Sequence, residues 1–126
     1  LEELLAYARI RPAINQIELH PRLPQTSLVQ YCQAKGIGVT AYSPLGRGNV
    51  KAAGLLSNPT VASIAETHAV SPASVLLRWN LQRDVVVIPK SVSRARIAQN
   101  VQQPWSFRLT AEETAALDAL EDGGRF

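Results

Sequence analysis

Residues 85–100 read Val-Val-Val-Ile-Pro-Lys-Ser-Val-Ser-Arg-Ala-Arg-Ile-Ala-Gln-Asn: an apolar run, a turn, then a helical pattern. Four consecutive apolar residues, Val85 to Ile88, halted by Pro89, suit a short strand of a parallel sheet, buried on both faces. Ser93 is placed to cap the helix that starts in Arg94-Ala95-Arg96. Strand, loop and helix start thus fall within sixteen residues, the unit from which α/β folds are assembled.

Working outward, the same unit recurs twice upstream. Residues 13–19, AINQIEL, alternate, with Ile14, Gln16 and Glu18 on one side and Asn15, Ile17 and Leu19 on the other. His20-Pro21 and Pro24 end that strand, Thr26 or Ser27 can cap a helix through SLVQYCQAK, and Gly36 closes it. A strand at residues 37–42, IGVTAY, runs into Ser43-Pro44 and a long polar loop, LGRGNVKAAGLLSN. Asn58-Pro59 and Ser71-Pro72 are cap-and-first-turn pairs for two helices, the first with Val61, Ile64, Ala65 and His68 on one face. Thr110 with Glu113 forms a capping box for AEETAALDAL, which Gly123-Gly124 would stop. At the other end Leu1, Leu4 and Leu5 make a helical stripe that stops before Arg11-Pro12.

The order is that of a parallel α/β sheet, either part of a (β/α)₈ barrel or part of a doubly wound sheet. A full barrel needs roughly 250 residues, and three strands alone leave two open edges. The 126 residues therefore read as one portion of a longer domain, an expectation reinforced by the abrupt helical start without Met.

Composition narrows the function. Charged residues make up 18% and the net charge is +3, too mild and scattered for a nucleic-acid surface. No apolar run approaches the ~20 residues of a membrane span, and LEELLAYARI is no signal peptide. One cysteine, Cys32, excludes an internal disulfide and a multi-cysteine metal site, and favours a reducing compartment; it reads as a half-buried helix residue. His20 and His68 have no Ser or Cys placed beside them by motif, and His20 reads as a turn or packing residue.

Ligands in such folds sit where strands give way to helices. Gln16 is a polar side chain in an apolar strand; its amide suits a ligand carboxamide or neighbouring backbone equally well. Tyr42 offers a flat ring, and Gly46 and Gly48 allow close approach of backbone to phosphate, although G-x-G alone reads as an ordinary turn. Lys90, Arg94 and Arg96 crowd a helix N-terminus, where the dipole already attracts anions, which favours a phosphate site over a solvated basic face.

These segments in this order resemble the aldo-keto reductase family, on the side of aldose reductase and prostaglandin F synthase. The carriers of the likeness are INQIELHP, VTAYSPLGRG, VVVIPKSVSRARIAQN, LLRWNLQR and LTAEETAALDAL, which cover nearly the whole chain. The resemblance implies a (β/α)₈ barrel, of which residues 1–126 are the last three β/α units with the C-terminal helix, starting inside the helix after strand five. It implies NADPH as cofactor, with Gln16 on the nicotinamide carboxamide and Tyr42 stacked on the nicotinamide. Ser43, Leu45 and Arg47 would lie near the pyrophosphate and Ala73 on the adenosine side. Lys90, Ser91, Val92 and Arg96 would hold the 2′-phosphate, and Gln99 and Asn100 the adenine edge. Gln99 stands where Glu is common, and Arg94-Ala95 where Pro-Glu is frequent.

By the same likeness the complete protein reduces a small aldehyde or ketone in the cytoplasm. Its catalytic Asp, Tyr, Lys and His precede Leu1, so this chain is expected to be inactive alone and to pair with another copy or the missing half. The alternative implied by the family is a non-enzymatic NADPH-binding subunit like those that accompany ion channels.

Overall fold

The computed structural model describes residues 1–46 and 54–125. Its elements are α1 (Glu2–Tyr7), β1 (Ile14–Glu18), α2 (Thr26–Ala34), β2 (Gly38–Tyr42), a 3₁₀ turn at Leu55–Ser57, α3 (Pro59–Thr67) and α4 (Pro72–Leu81). Then come β3 (Val85–Val87), α5 (Arg94–Gln102), a second 3₁₀ turn at Gln103–Trp105, and α6 (Ala111–Asp118).

The three strands form one parallel sheet in the order β1-β2-β3. Gln16 lies opposite Thr40, and Thr40 opposite Val86. Leu19, Val39, Ala41 and Val85 share a single core with Val29 and Cys32 of α2, Val61 and Ile64 of α3, Val75, Leu76 and Trp79 of α4, and Leu117 of α6. Every one of these helices therefore packs on the same face of the sheet. A doubly wound sheet carries helices on both faces and reverses its strand order; consecutive strands with one covered face are the arrangement of a barrel wall.

The other face is largely open, although Glu18 and Thr40 on it are buried, and its exposure along β3 corrects the reading of the third strand. Val86 is 56% and Ile88 46% exposed, while only Val85 is fully buried. The expectation of burial on both faces fails because no described element covers β3 on that side, and the ladder stops at Val87 rather than Ile88. Three further differences are local. Gln25, not Thr26 or Ser27, precedes α2, in a left-handed conformation with φ 42°, and no side chain caps the helix there. Its amide instead donates to the Glu18 carbonyl, which ties the helix start to the end of β1. The segment expected as loop up to Asn58 contains the Leu55–Ser57 turn, with Leu55 in the core. Finally, α6 stops at Asp118, five residues before Gly123. Beyond it the chain is tied down by Arg22, whose carbonyl accepts from the Asp122 and Gly123 amides and whose guanidinium binds the Asp122 carboxylate at 2.7 Å.

Elsewhere the sequence signals act as read. Asn58 accepts from the Thr60 and Val61 amides, Ser71 from the Ser74 amide, and Thr110 with Glu113 completes both arms of a capping box. Gly36 follows α2 at φ 69°, where an L side chain would be strained. Cys32 departs from the half-buried reading: it is a free thiol fully buried in the common core, while His20 is fully buried with Nε2 3.1 Å from Glu18 Oε1.

Candidate functional site

A cleft of about 810 Å³ opens where the loops after β2 and β3 meet the starts of α4 and α5. Each wall follows from local sequence. Tyr42 ends β2, and the chain turns at once: Ser43 takes φ 48° and Gly46 φ 63°, with the Gly46 amide donating to the Ser43 carbonyl at 2.9 Å. A non-glycine residue in that region is locally strained, and the turn it makes presents Ser43 and Leu45 to the cleft. Ser71 and Pro72 start α4 and bring Ala73 to the second wall. Pro89 cannot extend the β3 ladder, so Lys90 and Ser91 leave the sheet and face the same space. Arg96, Gln99 and Asn100 on α5 close the third side.

Polar groups organise the α5 end. The Ser91 hydroxyl accepts from the Ser93 amide at 3.2 Å and from Arg96 Nε at 3.5 Å. Ser93 caps the helix through the Arg96 amide. No acidic residue lies in the first turn of α5, which opens with Arg94 and Arg96. Lys90 and Arg96 on the cleft, beside a helix start whose first turn has no carboxylate, form a place suited to an anion.

Eight of the residues singled out in the sequence thus meet in one cleft: Ser43 and Leu45, Ala73, Lys90 and Ser91, and Arg96, Gln99 and Asn100. Gln16 and Tyr42 do not line it. They stand on the largely open sheet face, Tyr42 opposite Glu18 and Gln16 opposite Thr40, one step apart on neighbouring strands. Val92 is 79% exposed and also lies off the cleft. Arg47 and Gly48 fall outside the described residues. Pro44, Ile88 and Pro89 also line the cleft beside the candidates in their own segments, and sequence reasoning missed Leu56, Ser71 and Pro72 altogether. Ser71 and Pro72 had been read only as a helix start, though a helix start next to a strand end is where ligands sit. Leu56 belongs to an apolar pair within a polar loop, and that interruption was the available signal.

Two imidazole–carboxylate pairs flank the sheet without entering the cleft. Burial holds His20 below its ordinary pKa, against the opposing pull of Glu18. His68 bonds Glu113 at 2.8 Å and packs on the Phe107 ring. Burial pushes the Glu113 carboxyl up, but the Thr110 amide and His68 outweigh it and leave the group below the usual range.

The Aldo/keto reductase family model matches residues 1–122. The chain is 45% identical to the aldo-keto reductase family 1 member A1 of Cricetulus griseus, a match covering 100% of this chain and 40% of that protein. It is 49% identical to a protein of Arthroderma otae described as a probable NAD(P)H-dependent D-xylose reductase, over 98% of this chain and 40% of the relative. A solved structure, that of the aldose reductase from Schistosoma japonicum, superposes with a TM-score of 0.88 at 43% identity, covering 98% of this chain and 38% of that one. The chain spans about 40% of the length of the curated relatives it matches. On its sequence and on its backbone alike, the chain belongs to the aldo/keto reductase family.

Proposed function

We propose that this chain is the C-terminal part of an NADPH-dependent carbonyl reductase, the last three units of a (β/α)₈ barrel, and that its cleft receives the adenosine and phosphate end of the cofactor. The observation that carries the reading is the convergence of Lys90, Ser91, Arg96, Gln99 and Asn100 with Ser43, Leu45 and Ala73 around one cleft. The donor set fits the group. Lys90 and Arg96 are fixed cations and Ser91 a neutral donor, the chemistry that recognises a phosphate monoester such as the adenosine 2′-phosphate. Gln99 and Asn100 carry amides able to donate and accept at an adenine edge. Leu45, Ala73 and the proline rings supply an apolar lining for a flat base.

The open sheet face supports the barrel. Ile14, Val86 and Ile88 are exposed there beside Gln16 and Tyr42, and Ile97, Val101 and Trp105 are exposed along α5 and the turn after it. Apolar surface of that extent calls for a covering layer, which the remaining units of a barrel would provide. In that setting Gln16 would hold the nicotinamide carboxamide and Tyr42 would lie against its ring. Bound NADPH supplies a hydride to the carbonyl carbon of a small aldehyde or ketone. The groups that protonate the product oxygen lie, on this reading, outside the chain, so residues 1–126 by themselves turn over no aldehyde and associate with a copy or with the rest of the barrel. The single free thiol, Cys32, fits a reducing compartment such as the cytoplasm.

The test is Arg96→Ala in the full-length protein. NADPH carries the 2′-phosphate and NADH lacks it, so the substitution weakens NADPH by about 1.5–3 kcal/mol, roughly ten- to hundredfold, and leaves NADH nearly unchanged. Fluorescence titration of both cofactors reads the difference. Equal losses remove Arg96 from the phosphate site.

A further inference from the structure

α5 carries Arg96, Gln99 and Asn100, yet none of its nine residues is buried. Among the described residues, its side chains make no hydrogen bond to another helix or strand; the bonds that leave it go back to Ser91 and Ser93 or on to the Gln103 amide that follows it. Core burial therefore does not hold this wall of the cleft in place. The connection comes immediately after the helix, at Gln103.

Gln103 Oε1 accepts from the Ser71 amide at 3.3 Å and from the Ser74 hydroxyl at 2.8 Å. Ser74 is fully buried, and its one hydroxyl proton is committed to Gln103. Ser71 Oγ, 2.8 Å from Ser74 Oγ, must then be the donor of that pair, while it accepts from the Ser74 amide at 3.2 Å. The chain of donors runs one way, from Ser71 through Ser74 to Gln103, and spans the start of α4 and the end of α5. The start of α4 is also a wall of the cleft. A second tie lies beside it, Arg78 Nη1 donating to the carbonyl of the buried Pro104 at 3.3 Å.

We infer that Gln103, through Ser74, is a positioning residue for the cofactor: it sets the separation of the α4 and α5 walls and so pre-organises the adenosine end of the cleft. This rests on the cofactor reading above. Gln103 is not among the residues that line the cleft; it acts through the placement of Arg96, Gln99 and Asn100. A binding wall held by a few polar ties loses affinity when one of them is cut, because the ligand must then order the helix itself. Chemistry at the carbonyl is unaffected once the cofactor is seated.

The experiment uses the full-length protein with Gln103→Met, which keeps length but removes the acceptor, with Ser74→Ala, and with the double variant. Binding of adenosine 2′,5′-bisphosphate is measured by calorimetry, alongside KM for NADPH and kcat. Each single variant is expected to weaken the bisphosphate and raise KM about tenfold, the scale of one buried hydrogen bond lost, with kcat within about twofold of wild type. The double variant is expected to be no worse than either single, since both cut the same joint. Amide exchange in α5 should quicken in all three. Unchanged bisphosphate affinity in folded single variants, a matching fall in kcat, or losses that multiply in the double variant overturns the inference. A wild type that does not bind the bisphosphate sinks the cofactor reading and this inference with it, whereas a wild type that binds and a Gln103→Met that binds equally sinks only the role of Gln103.

Discussion

α4 and α5 are nearly equal in length, and both follow a serine cap, yet they are built on opposite terms. Residues 74–80 of α4, seven in a row, are all buried; α5 has none. Pro72 gives α4 a pre-set first turn and Ser71 caps it at 3.2 Å, whereas α5 begins with Arg94 and its cap reaches 3.5 Å. α4 is the floor on which the sheet is assembled. α5 is a wall hung on that floor by polar contacts. A helix that must present cations to a ligand cannot also sink them in a core, because unpaired charge is expelled from low dielectric. Placing the binding groups on an outer element and the apolar burial on an inner one meets both demands, and it leaves the binding element at the low-stability end of the molecule.

The widest separation between the two helices should appear on truncation in α4. Leu76 is fully buried in the common core, so Leu76→Ala is expected to destabilise the full-length protein by about 2–5 kcal/mol. Denaturant unfolding measures it. A loss below 1 kcal/mol would mean that α4 is not the floor, and the contrast with α5 would lose its larger half.

How much of this contrast was legible in the sequence differs between the helices. In α4, Ser71-Pro72 marks the helix start directly, whereas the burial of its body follows only from the packing. α5 is readable as a helix and as a basic one, and Arg96, Gln99 and Asn100, three of the residues singled out, face the cleft. Gln103 was invisible because its role depends on Ser71 and Ser74, some thirty residues earlier, and a lone polar residue after a helix carries no local signal. The bare face of β3 was also misread. A continuous apolar run states that burial is wanted on both sides, but which side is covered depends on elements beyond the run itself. Gln16 and Tyr42 share that face for the same reason: alternation fixed their side of the sheet, and nothing local said what would lie over it.

The end of β1 gives a second, smaller expectation. His20 is fully buried at the end of β1, near Glu18 and the Arg22–Asp122 pair, and burial holds its pKa below the ordinary 6.5. The unfolded chain therefore takes up the proton first. Stability is fully present above about pH 6.5 and falls as the pH drops toward the folded-state pKa, with a slope of at most about 1.4 kcal/mol per pH unit for one proton. Asp122 and Glu113, both held low, add losses in the same direction, but only below the ordinary carboxylate values of 3.8 and 4.5. Urea midpoints at pH 7.5 and 5.5 should differ, and His20→Gln should flatten that window while leaving the more acidic decline. A window that stays steep in the variant would assign the slope to another group.

The smallest effect tests the outer helix itself. The Ser93 hydroxyl accepts from the Arg96 amide at 3.5 Å, the limit of a hydrogen bond, so Ser93→Ala should cost at the low end of capping values, about 0.5 kcal/mol. Where that cost appears matters more than its size. If α5 is a wall hung on the core, its first turn opens without unfolding anything else, and the lost cap should speed amide exchange at residues 95–97 while the global unfolding midpoint stays within error of wild type. The equivalent change on the inner helix, Ser71→Ala, removes a cap from an element whose whole body is core, and its cost should be visible in the global midpoint. Should Ser93→Ala lower the global midpoint as far as Ser71→Ala does, α5 would have to unfold together with α4. The two helices would then be one cooperative unit, and the division between a buried floor and an outer wall would be wrong.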